Sequence, residues 1–218
     1  PILIPGLVDY STYKKRRVTW DEMRQCIGLD ARFYEGKENL LYPPEALANS
    51  MLLATNLRGM RRVAKAIGID TAEGGDSTVW TAIDNLGLIK QESMKTPDTS
   101  IIPGRTIAFA QETGCDDPSK WVFDRGGGGK EHADQLRAQG YDVTTVGFGE
   151  ASTNPRKWKT ATNRQEERET KYVYKNRRAE MYGIASIRID PNTGFAIPNE
   201  YTELLRQLSM MPKMYDGE

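Results

Sequence analysis

Two aspartates of this chain, Asp70 and Asp124, each stand at the end of a short apolar run. The runs cover residues 63–70 and 121–124, and both have the composition of buried strands. A carboxylate at the C-terminal end of a strand lies at the rim of the sheet, where α/β proteins bind their ligands. Carboxylates on neighbouring strands can share hard divalent cations such as Mg²⁺ or Mn²⁺. The pattern therefore indicates metal-assisted phosphoryl chemistry.

Glycines and a further acidic residue follow these aspartates. Asp76 comes after Glu73 and two glycines, and a turn in which aspartate accepts backbone hydrogen bonds is the alternative interpretation of Asp70 and Asp76. Asp124 and Arg125 precede four consecutive glycines: Gly126, Gly127, Gly128 and Gly129. A wall without side chains would let a phosphate backbone approach, and Lys130 with the start of the next helix could bind the anion. The alternative is a flexible surface loop.

The glycine run does not fit the known nucleotide-binding motifs. In a Walker A loop, the first glycine would fall on Asp124, and Ser or Thr would replace Glu131 after Lys130. Glu131 also occupies the third glycine position of the dinucleotide fingerprint. His132 is the only histidine, which argues against a catalytic triad or a histidine-rich zinc site and favours a structural or surface role.

Composition narrows the class of protein. The 218 residues include 30 Lys and Arg against 30 Asp and Glu, so net charge does not indicate a partner. A hydrophobic content of 38% and a charged content of 28% are typical of a soluble globular protein. Cys26 and Cys115 have no metal-ligand spacing, and neither a membrane span nor a secretory signal is visible. We therefore expect a cytoplasmic protein that does not associate with membranes.

Basic residues are concentrated between positions 156 and 178. The segment includes Arg156, Lys157, Lys159, Arg177 and Arg178, with only three glutamates among its charges. A local basic excess of this kind is typical of a polyanion partner. A solvated charged helix or hairpin is the alternative.

The order of predicted elements indicates the fold class. Strands are predicted at 63–70, 77–84, 88–93, 120–124 and 142–148, and helices at 103–113, 130–139, 172–187 and 200–210. Three antiparallel strands followed by crossovers predict an α/β fold with a ribonuclease H-like mixed sheet and flanking helices. Asp70 and Asp124 would then be separated by one inter-strand spacing, about 5 Å.

Residues 1 to about 60 have a different pattern, which predicts a mostly helical or irregular linker. Thr19 with Glu22 resembles a capping box and predicts a helix start there. Pro44 predicts the start of a second helix.

Several segments, taken together in this order and spacing, resemble the large subunit of tailed-phage terminases over essentially the whole chain. They are Gly68-Ile-Asp-Thr-Ala-Glu-Gly-Gly-Asp-Ser-Thr78, Phe123-Asp-Arg-Gly-Gly-Gly-Gly-Lys130 with residues 133–136, Val146-Gly-Phe-Gly149, and Asn176-Arg-Arg-Ala-Glu-Met-Tyr182. The family has an N-terminal ATPase and a C-terminal ribonuclease H-like nuclease that cuts concatemeric DNA. The resemblance implies that residues 1–60 are the tail of the ATPase domain and a linker, and that residues 61–218 are a C-terminally incomplete nuclease domain.

The resemblance also implies roles for individual residues. Asp70 and Asp124 match the first two metal-binding carboxylates of the family, and Asp76 matches an accessory acidic position. The third family carboxylate lies on a helix downstream of a stretch similar to residues 211–218, so we expect it outside this sequence. The Walker motifs are absent from these 218 residues.

Residues and resemblance together lead to two hypotheses. The first is a metal-dependent endonuclease that cuts concatemeric double-stranded DNA with two Mg²⁺ or Mn²⁺ ions, acting in the host cytoplasm. Asp70 and Asp124 would be catalytic, and the DNA contacts would be Arg125, Gly126 to Gly129, Lys130, Arg156, Lys157, Lys159, Arg177 and Arg178. Partners implied for the full-length protein are the portal protein, the small terminase subunit and further copies of the chain. The second hypothesis is a non-catalytic DNA-binding or motor-coupling module that docks on portal or terminase subunits.

Overall fold

The structure is a computed structural model that describes most of the chain. The described residues are 10–19, 25, 28–30, 40–73, 75–153, 157–159, 167–169, 174–190 and 194–213, with 157–159 and 167–169 described as backbone only. Of the predicted DNA contacts, Arg156 lies outside the described residues, and so do the side chains of Lys157 and Lys159.

A five-stranded mixed sheet forms the centre of the fold. Its strands are β1 (Ala66–Asp70), β2 (Thr78–Ile83), β3 (Leu88–Met94), β4 (Trp121–Asp124) and β5 (Thr144–Val146). The strand order is β3-β2-β1-β4-β5, in which β1, β2 and β3 pair antiparallel while β4 pairs parallel with both β1 and β5. This arrangement confirms the predicted ribonuclease H-like sheet. Two further strands, β6 (Lys157–Lys159) and β7 (Glu167–Glu169), pair only with each other.

Six α-helices lie in the part of the chain that the structure describes. They are α1 (Tyr10–Thr19), α2 (Pro44–Asn56), α3 (Ile102–Thr113), α4 (Gly129–Ala138), α5 (Arg177–Ile189) and α6 (Thr202–Ser209). The predicted signals at both ends of α3 are in place: Pro103 lies in its first turn, and Gly114 ends it in the left-handed conformation with φ of 73°. None of the helices among the described residues is long and apolar enough to cross a membrane.

One predicted helix start is wrong. Thr19 is the last residue of α1 rather than an N-cap, and its hydroxyl donates a hydrogen bond to the Lys15 carbonyl at 2.8 Å. A threonine inside a helix commonly bonds backward in this way to the residue four positions earlier. The preceding basic run consists of good helix formers, so the helix continues to Thr19.

The main hydrophobic core lies between the sheet and helices α3 and α4. Ile67 and Ile69 of β1 and Phe123 of β4 are buried there against Phe109 and Leu136 of the helices. Because successive side chains of a strand alternate between faces, the last residues of β1 and β4 point away from this core. The alternation that builds the core therefore also places the two terminal aspartates together on the opposite face.

A second apolar cluster joins the segment before the sheet to the last two helices. Tyr42 and Leu47 pack there with Leu88, Ile189 and Ile197. Residues 40–56 thus contribute to a core shared with β3, α5 and the segment before α6. The domain boundary near residue 60 stays a prediction.

Candidate metal and nucleic-acid site

Asp70 and Asp124 end two neighbouring parallel strands in the same register. The pairs Ile67–Trp121, Gly68–Val122 and Ile69–Phe123 are opposite one another, so the next residue of each strand is an aspartate. Adjacent strands lie about 4.8 Å apart, and residues in register point to the same face. The register therefore accounts for the predicted separation of Asp70 and Asp124 by one inter-strand spacing.

The charge environment of Asp70 favours a cation. Desolvation by the surrounding protein raises the pKa of Asp70, and the negative charges of Asp124 and, less strongly, Asp76 raise it further. Among the described residues, the positive charge of Arg178 opposes this increase. Asp70 is still exposed at the rim, so solvent screens part of the repulsion. A cation between the two carboxylates would relieve what remains.

The glycine loop after Asp124 packs against the chain that follows Asp70. Thr71 donates its hydroxyl hydrogen to the carbonyls of Gly127, at 2.8 Å, and Gly126, at 3.2 Å. Gly127 has φ of 53°, and a Cβ there would lie 2.1 Å from the Thr71 carbonyl oxygen. A Cβ on Gly129 would lie 1.9 Å from the Asp124 carbonyl oxygen. These two glycines are therefore required by contacts within the protein, while the approach of a phosphate to the loop stays a prediction.

The same loop orients one of the carboxylates. The Gly126 amide donates a hydrogen bond to Asp124 Oδ1 at 3.3 Å. Gly128, with φ of 77°, forms the N-cap of α4, and Lys130 is exposed in the first turn of that helix. An exposed cation and a helix N-terminus thus lie a few residues after Asp124, as expected for an anion-binding rim.

His132 lies beneath the glycine loop rather than on the surface. Its side chain is buried, and Nδ1 has no hydrogen-bond partner among the described residues. Burial lowers the pKa of His132, which keeps the ring neutral near pH 7. The ring fills space next to Gly128 and the Glu73 side chain.

Two of the arginines predicted to contact DNA form contacts within the protein, and their contact with DNA stays a prediction. Arg125 forms an ion pair with Glu150 and donates a hydrogen bond from Nε to Thr145 Oγ1 at 3.1 Å. Arg177 donates from Nη1 to Thr153 Oγ1 at 2.7 Å and to the buried Glu180 carboxylate at 3.2 Å. These contacts connect the end of β4 and the start of α5 to the loop after β5.

Arg178 is held differently. Its backbone amide donates to the Phe148 carbonyl at 3.1 Å, and its guanidinium carbon lies 4.8 Å from the centre of the Phe148 ring. The residue is exposed, and its charge acts on Asp70. Sequence reasoning identified Arg178 but missed Phe148, Thr71 and Glu150. Thr71 could have been identified from its position in the sequence, directly after the aspartate that ends β1.

The structure brings together only part of the predicted metal site. Asp70 and Asp124 are adjacent, and Asp76 is near enough for its charge to act on Asp70. Within the described part of the chain, no group of three or more His, Cys, Asp or Glu side chains is arranged to hold a metal ion. The two strand-end carboxylates would thus supply part of a coordination shell.

Comparison with known proteins identifies the fold. No protein-family model and no curated protein matches the chain. Among solved structures, the nuclease domain of the large terminase subunit gp2 of bacterial virus Sf6 is similar with a TM-score of 0.62 and 16% identity, covering 82% of this chain and 84% of that one. A mutant of the same Sf6 subunit with calcium has a TM-score of 0.62 and 16% identity, over 82% and 85% of the two chains. A mutant nuclease domain with manganese has a TM-score of 0.60 and 14% identity, over 82% and 84%. The chain therefore has the fold of a large-terminase nuclease domain.

Proposed function

We propose that this chain is the nuclease part of a viral DNA-packaging terminase, a metal-dependent endonuclease that cuts concatemeric double-stranded DNA. The observation that carries the proposal is the register of β1 and β4, which sets the Asp70 and Asp124 carboxylates side by side on the face of the sheet opposite the main core. Support comes from the fold, which is similar to that of the Sf6 terminase nuclease domain.

The donor set fits a hard divalent cation. Asp70 and Asp124 offer carboxylate oxygens, and their mutual repulsion would be relieved by positive charge between them. We propose Mg²⁺ or Mn²⁺ held by these two residues, with Asp76 as an accessory acid. When bound, the metal ions would supply Lewis-acid polarisation of a phosphodiester and a more acidic water.

The chain's own residues would orient the reactants. The Gly126 amide fixes one oxygen of Asp124, and the Thr71 hydroxyl holds the glycine loop against the end of β1. Lys130 would contact backbone phosphates without reading base sequence. Arg156, Lys157 and Lys159 are further proposed phosphate contacts. Arg125 would act by fixing the loop after β5 through Glu150.

The proposed setting is the one that the sequence resemblance to large terminase subunits implies. Double-stranded DNA would be the substrate, and the portal protein, the small terminase subunit and further copies of the chain would be partners in the host cytoplasm.

The test is Mn²⁺ binding by the 218-residue chain, measured calorimetrically, with Asp70→Asn and Asp124→Asn as variants. Each substitution removes a charged ligand, so we expect Mn²⁺ affinity to fall by more than about 100-fold. Asp116→Asn is the matched control, because Asp116 is an exposed aspartate before the opposite end of β4. Its Mn²⁺ affinity should equal that of the wild type.

Nicking of supercoiled plasmid provides a second readout. We expect weak Mn²⁺-dependent nicking that both Asn variants abolish while DNA binding is largely retained. Wild-type nicking by either variant would refute the assignment of these aspartates. Retained DNA binding without any Mn²⁺ binding at millimolar concentration would instead favour the non-catalytic DNA-binding or motor-coupling module.

A further inference from the structure

Arg178 differs from its neighbour Arg177 in what its side chain is free to do. The Arg177 guanidinium is committed to Glu180 and Thr153, and its Nε is buried without a partner among the described residues. Arg178 is exposed in the first turn of α5, with its backbone anchored to the Phe148 carbonyl. Of this arginine pair, Arg178 is the one available to an external ligand.

The position of Arg178 is defined by an aromatic ring. The guanidinium carbon lies 4.8 Å from the Phe148 ring centre, a separation at which a cation is attracted to the face of the ring. A planar guanidinium stacks on such a ring and keeps its outer N–H groups free, which an ammonium group cannot reproduce. Val146, two residues before Phe148, pairs with Asp124. Phe148 thus holds a phosphate-binding group in place beside the strand ends that carry the two aspartates.

The same charge also opposes metal binding. Arg178 is close enough to Asp70 for its charge to act on that carboxylate. Without a metal ion, it partly balances the repulsion among the acidic residues. A divalent cation at Asp70 would be repelled by Arg178, whereas a phosphate of the DNA backbone would be attracted to it.

We propose that Arg178, positioned by Phe148, is the residue that contacts the DNA phosphate next to Asp70, and that its charge weakens metal binding until DNA is present. This inference rests on the proposed function. It adds a residue whose charge would weaken the binding of the metal ion and strengthen the binding of DNA. If Arg178 had a structural role instead, removing its side chain would weaken the binding of both the metal ion and DNA. A solvated surface charge would leave metal affinity unchanged.

The experiment measures two affinities of the 218-residue chain. Mn²⁺ binding is followed calorimetrically without DNA, and binding of a fluorescent DNA duplex is followed by anisotropy without metal. For Arg178→Ala we expect Mn²⁺ affinity to increase by about threefold to tenfold, because a nearby positive charge is removed. Affinity for the duplex should fall by about threefold or more, because a phosphate contact is lost.

Two further variants separate charge from position. Arg178→Lys retains the charge but not the planar stacking, so Mn²⁺ affinity should stay near wild type while duplex affinity falls. Phe148→Leu should also weaken duplex binding, because the arginine loses its ring. Lys120→Ala is the matched control, since it removes an exposed charge at the opposite end of β4. It should leave Mn²⁺ affinity unchanged.

Each outcome supports or contradicts the proposal. Unchanged or weaker Mn²⁺ binding by a folded Arg178→Ala variant would contradict it, as would unchanged duplex binding by both Arg178 variants. If Arg178→Ala does not fold, a loss of Mn²⁺ affinity in Arg178→Lys would be decisive against it. The proposed nuclease site fails separately, when Asp70→Asn and Asp124→Asn leave wild-type Mn²⁺ binding intact.

Discussion

Replacing Gly129 by alanine tests whether the glycine loop is built as the structure shows. A Cβ at this position would lie 1.9 Å from the Asp124 carbonyl oxygen and 2.9 Å from Thr71 Oγ1. The nearer atom belongs to the backbone of β4 and cannot rotate away, so the loop or the end of the strand has to shift. Overpacking of this kind costs about 1–3 kcal/mol, and we expect Gly129→Ala to lie near 3 kcal/mol because backbone is displaced.

Gly129→Ala should therefore change both the stability of the fold and the proposed metal site. For a chain of this size, about 3 kcal/mol corresponds to a decrease in Tm of about 6–12 °C. The displaced strand end carries Asp124, so Mn²⁺ affinity should fall as well. Urea unfolding, followed by the fluorescence of the buried Trp80 and Trp121, measures the loss of stability.

Gly104→Ala is the matched control. Gly104 lies inside α3 and is exposed, and no atom lies within 4 Å of a Cβ built there. Alanine should therefore stabilise the protein by about 0.5–1 kcal/mol, because glycine in a helix interior is entropically unfavourable. If Gly129→Ala unfolded at the wild-type urea midpoint, the close approach of the loop to Asp124 would be refuted.

Two further predictions concern charges. Arg62 and Asp84 form a mostly buried ion pair. Burial alone would raise the pKa of Asp84, but hydrogen bonds from Arg62 and two backbone amides hold that pKa below its ordinary value. Asp84→Asn leaves the arginine without its anion and should cost about 3 kcal/mol in the free energy of unfolding at pH 7. A carboxylate whose pKa is lowered in the folded state stabilises the fold at pH values above its unfolded-state pKa, and this effect is lost as the carboxylate is protonated. The difference in unfolding free energy between Asp84→Asn and wild type should therefore shrink in urea titrations below about pH 4. A difference that stays constant with pH would contradict the explanation. Lys130→Ala should weaken duplex binding and decrease the slope of log affinity against log salt by about 0.9 if Lys130 contacts one phosphate, and an unchanged slope would show that it does not.

Much of the fold could be predicted because its signals are local. The apolar runs that end at Asp70 and Asp124 mark β1 and β4, and Pro103 with Gly114 marks the two ends of α3. The order of strands and crossovers then determines which strands are neighbours, and so predicts that the two aspartates meet. Thr19 shows the limit of such signals, because the same residue can cap a helix or bond backward inside one.

The details of the site depend on residues far apart in the chain. Nothing near Gly129 in sequence indicates that its missing side chain makes room for the Asp124 carbonyl and the Thr71 hydroxyl. Likewise, Arg177 and Arg178 are adjacent and chemically identical, yet one is bound to Glu180 and the other lies over Phe148.

The sequence by itself determined the alternation of apolar residues and the acidic strand ends, because periodicity and composition act over a few neighbouring residues. Only the tertiary structure decided which arginine is committed within the protein and which one acts with its charge on Asp70. That choice depends on the loop after β5, where Glu150 pairs with Arg125 and Phe148 supports Arg178. Such partners are selected by packing across the fold, so their roles follow from distances in space and not from spacing along the chain.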